Sequence, residues 1–393
     1  MNVRAIMNVP RYRLILWTAF AAALLFFIFQ MGLLPGTSRR AGQRFAPPGP
    51  RSFALLDSVM SHIRDDYLEE RDPVRTAEGA YRGMLNSLDS LSCYLNRDLA
   101  ARYLARSLRE ASPGLVLYKK YGSFPQVAGI VPGSPAEKAG VEPGDVLTAI
   151  GHHNTLASSL TELDLLLRGR QGETVDLKFL RGGDTIQLTL ARAVLFPKPW
   201  EFVAGGPGRP RVLRIHEFLP GLADGIRKAA DSIVKASDGP LVIDLRNCAG
   251  GEIDEAVALV NLFLRAPSIG TFGKEAGAQV EVGCPAEAPL AGKRPPVVWV
   301  DQATMGPAEL VAGVLQELGK AKVVGLPTPG LVARTEIFPL EDESAVILTS
   351  AVFTLPSGRT LWTKGLSPDA SVPPGDQSDK SFLEKTGPLL GKR

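Results

Sequence analysis

Val297-Val298-Trp299-Val300-Asp301-Gln302-Ala303-Thr304-Met305-Gly306-Pro307-Ala308-Glu309-Leu310 reads as a strand, a tight turn and a helix in succession. A short, wholly apolar run suits a buried strand, and the apolar spacing over residues 308–318 suits a helix. A turn of small residues joins them. Glu309 falls in the first helical turn, where the helix dipole favours a carboxylate. The same unit recurs on both sides. Residues 212–216 read as a strand, 222–235 as an amphipathic helix, 241–245 as a buried strand, 255–264 as a helix and 323–324 as a short strand. This alternation predicts an α/β core with short parallel strands. Residues 345–353, followed by Leu355-Pro356-Ser357-Gly358-Arg359, predict a hairpin.

Upstream, GIVPGSPAEKAGVEPGDVLTAIG (residues 129–151) has its own logic. Ser134 is placed to cap a short helix that Pro135 begins and Gly140 ends. Gly144-Asp145 marks a turn, and residues 146–150 alternate as a strand. Residues 160–167 predict a longer helix. Residues 175–180 and 186–190, around Gly182-Gly183-Asp184, predict a closing hairpin. Earlier still, residues 53–108 carry helical periodicity, with Leu55, Leu56, Val59, Met60 and Ile63 on one face. Residues 35–50 are rich in Pro, Gly, Arg and Ser and read as a flexible tether.

A chain of 393 residues is long enough for two or three domains. Its net charge of +3, with no basic run interleaved with aromatics, argues against a nucleic-acid partner. Three cysteines (Cys93, Cys248, Cys284) cannot all pair internally, and no Cys/His spacing suggests a metal site. No cofactor is expected. Residues 14–34 carry no charge and suffice to cross a bilayer as a helix. They read as an uncleaved signal anchor, with a cleaved signal peptide as the alternative. Arginines flank both ends, so the positive-inside rule gives no orientation.

Leu241-Val242-Ile243-Asp244-Leu245-Arg246-Asn247-Cys248-Ala249-Gly250-Gly251, taken with residues 297–310, resembles the core of the carboxyl-terminal (tail-specific) processing peptidases, the S41-type serine peptidases. Residues 77–89 are similar to that family's helical amino-terminal segment. Residues 129–151 resemble its PDZ domain, and Lys364-Gly365-Leu366-Ser367-Pro368-Asp369 its closing motif. The resemblance implies an α/β multidomain protein with a crotonase-like core. Its parts would be an amino-terminal tail (1–13), a transmembrane anchor (14–34), a linker (35–50), a helical segment (51–110), a PDZ domain (111–194), the peptidase-like core (195–376) and a polar tail (377–393). It also implies an inner-membrane, single-pass protein with its bulk periplasmic or otherwise extracytoplasmic. The implied partners are polypeptide carboxyl termini and, as a further candidate, an active homologue.

The resemblance makes the site conspicuous by what it lacks. The family's catalytic serine falls on Gly306, and its general-base lysine, 25 residues on, falls on Leu331. The glutamine that orients the lysine falls on Thr335. One oxyanion donor is matched by the Gly250-Gly251 turn. The other would come from the residue after the nucleophile, and Pro307 has no N–H. The segment Pro113-Gly114-Leu115-Val116-Leu117 matches the PDZ carboxylate-binding loop loosely; a plain strand after a glycine is the alternative. Substitutes for the nucleophile are Thr304, or Cys248 with His216 beside it, although a small buried thiol is the ordinary reading of Cys248. Ser344 and Ser350 read as structural, and Asp244 with Arg246 as an internal ion pair. The expected function is a non-catalytic binder of polypeptide. An active peptidase with a relocated nucleophile, and an envelope protein with a closed PDZ groove, remain as alternatives.

Overall fold

The structure, a computed structural model, describes residues 50–106, 110–120, 122–195, 198–206, 209–235, 240–274, 277–283, 290 and 295–389. The predicted anchor, almost all of the tether and Cys284 lie outside these residues. Among the described residues no helix is long and apolar enough to cross a membrane. The chain divides into two units, residues 1–68 and 69–393. In the first, α1 (Pro50–Asp66) is the described element.

The second unit opens with α2 (Pro73–Asn86), capped by the Asp72 carboxylate on the Val74 amide, then β1 (Cys93–Leu95) and α3 (Arg97–Ala105). The next module comprises β2 (Leu115–Tyr118), β3 (Gln126–Ile130), α4 (Pro135–Lys138), β4 (Val146–Ile150), β5 (His153–Asn154), α5 (Leu160–Leu167), β6 (Thr174–Arg181) and β7 (Asp184–Ala191). The expected caps are present: Ser134 accepts from the Glu137 amide, and Ser159 with Glu162 closes a reciprocal cap on α5. The sheet order is β2-β3-β4-β6-β7, with β5 on β4, so β2 is an edge strand.

The core follows, with β8 (Trp200–Val203), β9 (Arg211–Ile215), α6 (Leu222–Lys235), β10 (Leu241–Asp244), α7 (Ile253–Val260), β11 (Ser268–Gly273), β12 (Gln279–Gly283), β13 (Val297–Val300), α8 (Pro307–Glu317), β14 (Lys322–Gly325), β15 (Ala333–Pro339), β16 (Ala345–Thr354), β17 (Ala370–Ser371) and α9 (Asp379–Leu389). Its sheet runs β17-β14-β13-β10-β9-β8, and every pair from β9 to β17 is parallel. Strand alternation buries both faces. Ile243, Val298 and Val300 pack with α6, α7 and α8, whereas Val242, Val297 and Trp299 pack with Phe382 of α9. A further sheet orders β1-β16-β11-β12, with β15 on β16.

Two expectations need correction. Residues 377–393 are not simply a polar tail. Helix α9 seats Phe382, fully buried, 5.3 Å from the Trp299 ring, and the indole N–H donates to Thr386 at 2.9 Å. The strand at 345–354 does not form its hairpin with 355–359. It pairs along β15 on one edge and with β1 on the other, and 355–359 only closes a tight turn through the Leu355 amide and Arg359 carbonyl.

Candidate active-site cleft

The cleft begins where β13 ends. Asp301 accepts from the Ala303 amide and the Thr304 hydroxyl, and the chain turns into α8 at Gly306, with φ 56° and ψ −112°. Such a strand-to-helix elbow, in a backbone region that ordinary side chains avoid, is how some hydrolases present a nucleophile. Here it presents none. A Cβ at Gly306 would meet only the Leu331 carbonyl oxygen, 3.6 Å away, so the space for a side chain exists and is unused. The expected pairing of positions 306 and 331 is therefore a spatial one.

Glu309 holds them together. It is fully buried, and its carboxylate accepts from the amides of Gly306 (3.0 Å), Gly330 (2.6 Å) and Leu331 (2.7 Å) and from the Thr328 hydroxyl. Burial raises its pKa against these four hydrogen bonds. Its role thus exceeds the dipole interaction expected from its position. The capping-box spacing of three residues from Gly306 was the available signal.

The second wall is the turn after β10. Asn247 sits at φ 56°, and its amide donates to the Asp301 carboxylate at 3.0 Å. The Met305 amide donates to the Cys248 carbonyl, tying the two turns together. Gly251 must be glycine, because a Cβ there would fall 2.4 Å from the Phe218 carbonyl oxygen. The Gly250 and Gly251 amides find no acceptor among the described residues.

A cavity of about 660 Å³ unites these parts. It is lined by Gly250, Gly251, Gly306, Pro307, Leu331 and Thr335, and equally by Pro113, Gly114, Leu115, Val116 and Leu117. The residues predicted for the peptidase site and for the PDZ loop thus share one cleft. Its floor is apolar: Val116, Val131, Ala303 and Met305 form a buried cluster against which Leu195, Ala249 and Leu331 pack. Among the described residues no lysine lines it.

The substitute nucleophiles are occupied or inert. Thr304 is fully buried, its hydroxyl bonded to the Leu245 carbonyl and to Asp301. Cys248 is fully buried, and burial pushes its thiol well above the usual range, the reverse of an activated thiolate. Burial likewise lowers the pKa of His216. Ser350 lines the cleft, while Ser344 bonds Asp342. Asp244 and Arg246 form the expected internal ion pair at 2.7 Å, joined by Arg214 and Asp379. Burial pushes Asp244 up, and hydrogen bonds and charge from the two arginines overcome it.

Sequence reading missed Glu217 and Asp301. Burial raises the pKa of Glu217, which stands so close to the Gly250 turn that a Cβ at Gly250 would be 3.0 Å from its carboxylate. Burial raises Asp301 to about 6.

Comparison with known proteins agrees with this architecture. A model of peptidase family S41 matches residues 211–372, and a PDZ model matches residues 126–181. The carboxy-terminal processing protease CtpA of Bacillus subtilis is 28% identical over 93% of this chain and 77% of its own length. A probable CtpA-like serine protease of Staphylococcus epidermidis is 25% identical over 81% of this chain and 65% of its own. This chain therefore spans just under two thirds of the staphylococcal relative. The photosystem II D1 C-terminal processing protease superposes with a TM-score of 0.68 at 23% identity, covering 86% of this chain and 91% of that one, a likeness of fold. The chain thus carries a family S41 peptidase domain over residues 211–372, with a PDZ domain over residues 126–181 preceding it, and resembles the carboxyl-terminal processing proteases across most of its length.

Proposed function

We propose that this protein is a non-catalytic member of its family, anchored in the inner membrane with its bulk extracytoplasmic, that holds polypeptide chain ends as an adaptor or regulator. One observation carries the reading: Gly306 and Leu331 lie side by side at the elbow and supply neither hydroxyl nor amine. A Ser/Lys peptidase needs both, because the hydroxyl must form the acyl-enzyme and a neutral amine must take its proton. Polypeptide binding is supported by the edge of β2, unpaired by any strand among the described residues, and the adjoining glycine-led loop, the arrangement by which an extended peptide adds a strand. The anchor rests on the charge-free stretch at 14–34.

The purified full-length protein should leave an unstructured protein substrate intact over hours. Cleavage above background that persists after Cys248→Ala and Thr304→Ala would sink the non-catalytic reading. The relatives' names as proteases favour a second reading, an active peptidase with its nucleophile elsewhere. Labelling by an acyl- or thiol-directed probe, lost on one substitution, would identify that residue.

A further inference from the structure

We propose that the segment crossing the cleft at Gly306 is a basic one: an extended polypeptide that seats an apolar side chain against Leu331 and carries lysine or arginine on either side. This rests on the polypeptide-binding reading above and specifies its ligand. The apolar seat is the floor where a peptidase would need its reacting groups, with Met305, Ala249 and Leu331 beside a backbone position that has no side chain. The rim has the opposite character. Among the described residues six carboxylates line the cavity against three guanidiniums, although the chain as a whole carries +3. Two guanidiniums are already neutralised, Arg168 by Asp164 at 2.7 Å and Glu217 at 3.7 Å, and Arg334 by Asp254 at 2.5 Å.

Glu252 and Glu336 have no cationic partner among the described residues. One follows the Gly250-Gly251 turn and the other follows Thr335 on β15. Charge at a partly enclosed rim steers oppositely charged ligands and rejects like ones. The free Gly250 and Gly251 amides can take a ligand carbonyl. A terminal carboxylate at the same place would face the excess negative charge, so a chain end belongs at residues 113–117, with the basic segment upstream of it.

The test uses the full-length protein in detergent and fluorescence anisotropy with two labelled peptides that keep a free carboxyl terminus. They differ only in having lysines or glutamates around a central leucine. The lysine peptide should bind about tenfold tighter in dilute buffer, the scale of two partly exposed charge contacts, and the gap should narrow in 0.5 M salt. Replacing leucine by serine should weaken it. The double change Glu252→Lys with Glu336→Lys should erase or invert the preference, with the protein still folded and its melting temperature lowered by no more than an unfavourable charge at the start of α7 explains. Equal binding of the two peptides, or a preference that survives the reversal, would overturn the inference and leave polypeptide binding standing. Failure of every peptide to bind would overturn both.

Discussion

Glu309 accepts four hydrogen bonds inside the protein, three of them from the backbone amides of the elbow and of the loop beside it. Glu309→Ala would strand those donors, each costing about 1–3 kcal/mol when buried without a partner. The expected loss is about 3–5 kcal/mol of unfolding free energy, seen as a lower urea midpoint at unchanged slope, with Glu309→Gln recovering part of it. Asp301 offers a different test, because its folded pKa of about 6 lies above the ordinary 3.8. The folded state binds this proton more tightly, so Asp301 favours folding at low pH. That contribution is lost as pH rises through about 4 to 6. Asp301→Asn removes the titration. Between pH 4 and 7 the variant should gain about 2–3 kcal/mol relative to the parent, whatever its constant offset. Equal pH slopes for both proteins in denaturant titrations would contradict this account.

Helix α9 shows how an element can escape sequence reading. Its residues are mostly polar, and Phe382 is the single aromatic among them. What holds it lies far away in the chain: the Trp299 ring, the Arg246 guanidinium 4.5 Å from the Phe382 ring, and Thr386 on the indole N–H. Phe382→Ala should cost about 3–5 kcal/mol as a buried large-to-small change. It should also speed amide exchange selectively across residues 379–389, and an exchange pattern no different from the parent's would refute the staple. Strands β9, β10, β13 and β14 of the parallel sheet were legible because burial on both faces makes them mostly apolar runs, as in Val297-Val298-Trp299-Val300, whereas the two-residue β17 was not. The PDZ elements were legible because their caps and turns are local. Strands β1 and β15 were not, since a three-residue strand among helices and a polar edge strand are defined by register against β16 rather than by their own residues. At the site, positions 306 and 331 could be matched by spacing, whereas Glu217 is brought in by folding alone and Asp301, local to the elbow, meets the Asn247 amide only in the fold.

At the scale of the whole molecule, a PDZ loop and a peptidase elbow enclose one cavity whose walls are acidic and whose floor is apolar. On the non-catalytic reading proposed above, this surrounding predicts what a serine and a lysine placed at positions 306 and 331 would achieve. Gly306→Ser with Pro307→Ala and Leu331→Lys returns a hydroxyl, an amide donor and an amine. The serine would occupy a positive-φ position with room for it, and the amide would point from the first turn of α8. The lysine is the weak member. To act as a base it must be neutral, and neighbouring carboxylates favour the charged ammonium. Thr335 cannot replace the orienting glutamine. The triple variant should therefore hydrolyse an unstructured protein slowly near pH 7 and faster as pH rises toward the ordinary lysine pKa of about 10. Adding Glu252→Gln and Glu336→Gln should shift that profile to lower pH, because the charged amine then loses its support. A profile already at its plateau at pH 7, unmoved by those two changes, would mean that the acidic walls do not govern the chemistry of this cleft.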